Sequence, residues 1–474
     1  MLFNSLEFLI FFPIVTLLYF LLPHKFRWFH LLVASCIFYM FFIPVYILIL
    51  IFTIIVDYYA GLMIERAPKH RKKMFLIMSL IANIGVLAIF KYFNFFAENI
   101  NYVTNVKFIP YLNIILPIGL SFHTFQAMSY TIEVYRGNYK AERHLGIYAL
   151  YVMFYPQLVA GPIERPQNLL PQFRVEHKFS QEGFFDGFRL MLWGFFKKVV
   201  IADRLSMYVD AVFDNPGDYN NYLNCALATF FFAIQIYCDF SGYSDIAIGA
   251  ARTMGFKLMT NFNRPYFSTN IRDFWSRWHI SLSSWFRDYV YISLGGNRVS
   301  KKRIYLNTAI VFLLSGLWHG ANWTFIIWGA MHTFYIMIHM LKRDLIKRND
   351  PFDTPVGTIF SYIITFLAVC LAWIFFRANS VHDAIHIMMN ILSLNTSQPF
   401  QLTVEQGGGM FSLSSLTLSF ILILFMFMTE SFFSADMTNI KRKPVWDMAF
   451  CTLILTVILS FGVFQKNSFI YFQF

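Results

Sequence analysis

The chain has 474 residues, of which 57% are hydrophobic, 20% aromatic and only 14% charged. A soluble domain carries about 25% charged residues, so the composition excludes a water-soluble enzyme and points to a multi-pass membrane protein. The net charge of +12 accompanies no aromatic–basic module of the nucleic-acid-binding kind, and its basic residues fall in short clusters between apolar runs, as in cytoplasmic loops.

The N-terminus reads MLFNSLEFLIFFPIVTLLYFLLP, with Glu7 and no Lys or Arg before Lys25. A secretory signal opens on a basic segment and ends at a small-residue cleavage site, so this stretch reads as a first span that stays. A crossing helix needs about 20 apolar residues. The apolar runs lie at 6–22, 29–43, 45–63, 74–93, 113–135, 146–162, 184–204, 222–250, 304–317, 321–341, 355–376, 414–430 and 446–464. Some are too short or too polar to span, which predicts roughly 10–12 crossings plus re-entrant pieces. No internal repeat or low-complexity linker interrupts residues 1–474, so one membrane-embedded domain is expected.

Four basic clusters orient the chain: ERAPKHRKK (65–73), RVSKKR (298–303), KRDLIKR (342–348) and KRK (441–443). All are assigned to the cytoplasm. Residues 378–410 contain Asp383 and Glu405 but no Lys or Arg and are assigned outside, as are both termini. The five cysteines, Cys36, Cys225, Cys238, Cys370 and Cys451, lie in apolar surroundings without a C-x-x-C pair and read as small buried hydrophobes.

Between 140 and 205 the charge pattern fits no simple alternation, and re-entrant segments are expected there. The apolar run at 222–250 carries the polar residues Asp239, Ser241 and Asp245, and His123 and Glu133 lie in an earlier run. Such residues line a passage or satisfy one another inside the membrane. The stretch 261–298 is not a clean span. It mixes Arg264, Arg272, Arg277, Arg287 and Arg298 with Trp275, Trp278 and Trp285 at helical intervals and includes His279. Two readings stand: an interfacial anchor belt, or a cytoplasmic vestibule for an anionic substrate, since guanidinium groups bond phosphates bidentately. Coenzyme A or a phosphopantetheine arm is such a substrate. On this reading Arg277, Trp278, Trp318 and Asp245, with Asn322, form the candidate substrate-binding set.

Between the basic clusters at 298–303 and 342–348 lie 38 largely apolar residues containing LSGLWHGANWTF, 314–325. Two full crossings would need about 40 residues and a turn, so a re-entrant or broken helix pair is expected, breaking at Gly316–Gly320. His319 then sits inside the membrane beside a cavity, as a functional group by default or as a structural histidine bonded to a carbonyl. A buried imidazole suits proton abstraction from a hydroxyl attacking an acyl carbon. A thioester donor supplies the activated acyl group without a metal or second cofactor. No G-x-S-x-G elbow, Walker loop, H-E-x-x-H or Cys/His cluster is present in the sequence.

Four long motifs, YPQLVAGPIERPQNLLPQF, IYCDFSGYSDIAIGAARTMGF, DFWSRWHISLSSWFRDYVYISLGGNR and SGLWHGANWTFIIWG, resemble the membrane-bound O-acyltransferase (MBOAT) family. The resemblance is to the branch of AlgI-type alginate O-acetylation proteins and PatA-type peptidoglycan O-acetyltransferases, with the D-alanyl transferase DltB more distant. It runs over essentially the whole chain. It implies an all-α ring of membrane helices around a funnel or tunnel, in the bacterial inner membrane. It also implies His319 and His279 as the catalytic histidines, acetyl-CoA or an acyl-phosphopantetheine thioester as donor substrate, and a polysaccharide acceptor. A separate periplasmic or extracellular O-acetyltransferase of the SGNH-hydrolase type is the implied partner. The C-terminal FIYFQF places Tyr471 outside, as an acyl relay or an aromatic interface anchor. The competing readings are a transporter or flippase without bond chemistry, for which no inverted repeat is visible, and D-alanyl transfer to teichoic acid.

Overall fold

The computed structural model describes residues 1–106, 108–159, 161–345, 354–406, 409–432, 444–464 and 469–470. The helices are α1 (Leu6–Leu21), α2 (His24–Met40), α3 (Ile47–Arg66), α4 (Lys69–Leu87), α5 (Phe93–Thr104), α6 (Leu120–Arg136), α7 (Leu145–Met153), α8 (Tyr155–Leu158), α9 (Pro166–Leu169), α10 (Gln181–Phe195), α11 (Asp203–Asp214), α12 (Tyr222–Thr253), α13 (Ile271–Arg277), α14 (Ile280–Trp285), α15 (Lys301–His319), α16 (Trp323–Leu345), α17 (Pro355–Arg377), α18 (Val381–Leu392), α19 (Leu413–Phe432) and α20 (Pro444–Phe461). One two-stranded antiparallel ribbon pairs Val404 with Phe411 and Gln406 with Gly409.

The protein is all-α and polytopic. Among the described residues six helical stretches are long and apolar enough to cross a membrane: Pro44–Arg66, Lys69–Thr104, Tyr222–Thr253, Trp323–Lys342, Pro355–Arg377 and Leu413–Phe432. Shorter apolar helices lie at Leu6–Leu21 and Val445–Phe461. Helix α1 shows why lipid is the solvent: Leu6, Leu9, Ile10, Ile14, Leu17 and Leu21 are all exposed. An apolar stripe of that extent marks contact with something other than water.

Several expected spans are divided. The run 113–135 becomes helical only at Leu120, and 146–162 breaks at Phe154 into α7 and α8. The run 184–204 passes through a π-helical segment at Phe196–Ala202. The basic segments 346–348 and 441–443 lie outside the described residues.

The chain forms two compact units: residues 1–191 with 243–259, and 192–242 with 260–474. Three boundaries separate them, and the one at 259/260 falls between α12 and α13. One lies inside α10 and another inside α12, which is why no composition shift marks them.

In the first unit, Asp57 of α3 is fully buried and takes hydrogen bonds from Ser79 Oγ at 2.5 Å and from Asn83 Nδ2 at 2.9 Å, both on α4. A buried carboxyl group needs such donors. The described residues of the motif at 155–173 form α8, α9 and a 3-10 segment, Leu170–Arg174. Tyr151 donates to the Glu164 carbonyl at 3.0 Å, and a Cβ on Gly161 would stand 2.4 Å from Gln157 Cα. Glu133 accepts from Asn138 at 3.0 Å and from Gln167. His123 is buried on α6.

In the second unit, α15 and α16 form a hairpin of 19 and 23 residues. At 1.5 Å per residue the arms are about 28 and 34 Å long. The break falls later than Gly316: the helix runs through that residue to end at His319, and of the two arms Trp323–Lys342 is the one long and apolar enough to count among the six candidate spans. Gly316 serves close approach instead of unwinding, because a Cβ there would lie 2.2 Å from the carbonyl oxygen of Phe325. Gly329 mirrors it, its Cβ falling 2.4 Å from the carbonyl of Phe312. Small residues let two membrane helices pack backbone to backbone.

Candidate active site

The hairpin tip delivers the first histidine. His319 is the last residue of α15, followed by the break Gly320–Ala321–Asn322. It lies about 27 Å along the helix axis from Lys301, toward the end of the arm remote from the basic cluster 298–303. Its imidazole is 3% exposed. The rings of Trp318, Trp328 and Phe376 surround it at centroid distances of 4.9, 5.0 and 5.2 Å. Asn322 caps α16. Its Oδ1 accepts from the Thr324 N–H at 3.1 Å, and its Nδ2 donates to the carbonyl of Asn379 at 3.3 Å. An asparagine at this position satisfies a helix donor that has no partner within the helix.

The second histidine comes from the broken stretch between α13 and α14. His279 is fully buried and has φ 43° and ψ 55°. That left-handed conformation is rare for a residue with a Cβ and persists only where surrounding contacts hold it. Asn261 is the holder. Its backbone carbonyl accepts from the Ile280 N–H at 2.8 Å. Its Oδ1 receives His279 Nδ1 at 3.0 Å, Ser281 Oγ at 2.9 Å and the Ser281 N–H at 3.4 Å. A backbone N–H only donates, so the amide atom facing it is the oxygen. Nδ1 of His279 therefore carries the proton, and Nε2 of the neutral ring keeps its lone pair.

Trp318 joins the two histidines. Its ring lies 4.9 Å from His319 and 6.1 Å from His279. Trp278 is buried beneath, with Trp373 at 5.0 Å, Phe262 at 5.1 Å and Phe274 at 5.5 Å. The stretch 261–298 thus turns its chemistry inward. Trp278, Trp285 and His279 are buried, while Arg272, Arg287 and Arg298 are exposed. The stretch thus puts its indoles and His279 in the core and keeps these arginines at the surface, where both the anchor-belt and the vestibule readings need them. The cause is a hydrogen-bonded core around Asn261, which lets two helices of seven and six residues fold back into the unit.

The remaining predicted residues distribute as follows. Arg277 is about one-third exposed and pairs one turn away with Asp273 at 2.8 Å. Asp245 is half-buried on the part of α12 that belongs to the first unit. Tyr471 lies outside the described residues, whereas Phe469 and Ile470 before it are buried. His279, His319, Trp318, Trp278, Arg277 and Asn322 all fall in the second unit.

Two residues escaped the sequence reading. Asn261 opens the stretch and gives no sign that it clamps a ring 18 positions later. His332 of α16 is fully buried and accepts from Trp275 Nε1 at 3.2 Å. Trp328 lies 4.9 Å from it and 5.0 Å from His319. The spacing of 13 between His319 and His332 carries no signal, because it takes the hairpin turn to fold the two back together.

The polytopic helical architecture agrees with comparisons against known proteins. The model of the MBOAT, membrane-bound O-acyltransferase family, matches residues 143–381. The chain belongs to this family and is an O-acyltransferase of the membrane. It is 39% identical over 433 residues to the probable alginate O-acetylase AlgI of Pseudomonas aeruginosa, covering 90% of this chain and 81% of that protein. It is 36% identical over 392 residues to the peptidoglycan O-acetyltransferase of Helicobacter pylori, covering 77% and 73%. Similarity to the teichoic acid D-alanyltransferase of Bacillus subtilis is lower, 29% over 286 residues, covering 58% and 71%.

Proposed function

We propose that this protein moves an acetyl group from a cytoplasmic thioester, acetyl-CoA or an acyl-phosphopantetheine, across the membrane for O-acetylation of a cell-surface or periplasmic polysaccharide. The relatives named for alginate and peptidoglycan O-acetylation support the acceptor class. The observation that carries the chemistry is the His319–Trp318–His279 cluster, with His279 held by Asn261.

In this reading His319 is the general base. Its imidazole takes the proton of an acceptor hydroxyl as the oxygen bonds to the thioester carbon. The tetrahedral adduct collapses, the C–S bond breaks, and the imidazolium returns the proton to sulfur, releasing free thiol. The neutral His279, with a lone pair on Nε2, receives a hydrogen bond from the acceptor or donor and orients it. Trp318 keeps the two rings apart and excludes water from between them. Arg277 and the exposed Arg272, Arg287 and Arg298 attract the phosphates of the donor. The distance of His319 from the basic cluster supports entry of the acceptor from the outer face. An inner-membrane location and a partner transferase of the SGNH-hydrolase type complete the proposal: the partner carries the acetyl group onward to the polymer.

The test is thiol release and label transfer from radiolabelled acetyl-CoA by the purified protein in proteoliposomes, with the partner transferase present. A parallel arm supplies a D-alanyl thioester. Acetyl transfer that is slowed at least ~100-fold in a folded His319→Ala variant, the low end for loss of a general base, supports the proposal. Transfer from the D-alanyl donor alone would move the protein to the teichoic acid class. Polymer export without thiol release would identify a flippase.

A further inference from the structure

The second unit contains a buried ionic cluster that the chemistry above does not use. Lys198, on the π-helical segment Phe196–Ala202, places Nζ 2.9 Å from Asp203 Oδ1 and 2.7 Å from Asp239 Oδ1. The three side chains are only 1–4% exposed. Removing such charges from water is costly and is offset only by good geometry. The best-attested use of buried ionic groups is to fix register. π-Helical turns are often found at functional sites.

What this cluster fixes is the backbone at Ile470. The second oxygen of Asp239, Oδ2, accepts the backbone N–H of Ile470 at 2.8 Å. Upstream, the Val463 N–H donates to the carbonyl of Val199 at 2.8 Å, and Arg204 donates to the carbonyl of Phe461 at 2.6 Å. The C-terminal segment is therefore stitched at three points to the segment 199–204 and to α12. Beside Ile470, the fully buried Phe469 stands 5.6 Å from the ring of Phe240. Phe240 in turn meets the imidazole of His279 edge to face at 4.5 Å. Asp239 and Phe240 are neighbours on α12, so one turn of helix bonds the tail and touches the histidine.

We propose that Lys198 and Asp239 are positioning residues for His279: they latch Phe469–Ile470 in place, and Phe469 presses Phe240 against the imidazole. Asn261 holds the nitrogen side of the ring and Phe240 packs against it, so the strained backbone at His279 is braced by Phe469 and Ile470 as well as by its own loop. This inference rests on the acyl-transfer reading of the histidine site.

Proline at 470 removes the N–H that Asp239 accepts and keeps the Lys198–Asp239 pair itself; it also restricts the backbone of Phe469, so the Phe469 variants are compared alongside it. The experiment compares wild type with Ile470→Pro and Ile470→Ala, and Phe469→Ala with Phe469→Leu, all in proteoliposomes. Ile470→Pro and Phe469→Ala are expected to lower kcat about 10- to 100-fold, the scale of a small misplacement in an active site. Donor KM stays near wild type, because the loss is confined to the reacting geometry. Ile470→Ala and Phe469→Leu keep most of the activity. Hydrogen exchange over 461–470 accelerates in Ile470→Pro and not in Ile470→Ala. A kcat for Ile470→Pro no lower than that of Ile470→Ala would overturn the positioning role. Unchanged exchange over 461–470 would overturn the latch, and that readout is independent of activity. A wild-type protein without transferase activity would instead sink the acyl-transfer reading and the positioning role with it, while the exchange data still decided the latch.

Discussion

The two histidines of the site are held in opposite ways. His319 is placed by shape: it ends a straight helix whose partner arm approaches so closely that only glycine fits at 316 and 329. His279 is placed by hydrogen bonds: its backbone lies in a left-handed conformation, and one asparagine oxygen fixes its ring. The first arrangement tolerates no added volume. The second tolerates no lost acceptor. A buried imidazole can thus be located by packing density or by polar satisfaction, and the two modes fail under different substitutions.

The largest effect is expected where shape cannot relax. In Gly316→Val the new methyl groups meet the Phe325 backbone, which cannot move as a side chain would, so the hairpin separates. Overpacking costs about 1–3 kcal/mol, occasionally more. Thermal unfolding in detergent should show a lowered Tm, with activity lost in step. A wild-type Tm for Gly316→Val would show that the hairpin is loosely packed.

Asn261 comes next. Asn261→Ala leaves Ser281 and His279 Nδ1 without their acceptor, at a cost of about 1–3 kcal/mol for an unsatisfied buried group. It also frees the ring to change tautomer, so kcat falls further than stability predicts. Asn261→Asp retains an acceptor for the same donors and should recover part of that loss. Equal activity in the two variants would mean that the tautomer of His279 is irrelevant.

Asn322 should be the mildest. Asn322→Ala removes a helix cap, worth about 1 kcal/mol, and should change kcat by less than either substitution above. A loss matching that of Asn261→Ala would support the substrate-binding role expected of Asn322.

The same contrast explains what was legible in the sequence. Membrane character, helical class and family followed from apolar runs and long contiguous motifs, and His319 stood out because few titratable groups share its surroundings. The hairpin was legible as two apolar arms around a glycine-rich break. Its break was expected early because Gly316 was read as a point of opening, whereas the partner backbone uses it for contact. The inward fold of 261–298 was hidden. Arginine and tryptophan in alternation describe an interfacial helix equally well, and only the Asn261 clamp, formed across 18 positions, turns Trp278 and His279 into the core. His332 and the seat of Phe469 on Phe240 depend on contacts across 57 and 229 positions, beyond any local pattern.

The central claim is that His319 and His279 work as one unit across Trp318. A double-mutant cycle on single-turnover acetyl transfer tests it most directly, using His319→Ala, His279→Ala and the double variant in proteoliposomes. Groups that act together are strongly non-additive. The account predicts that the double variant is scarcely slower than His319→Ala alone. Losses that multiply would contradict it, because they would make the two histidines independent contributors that share only a neighbourhood.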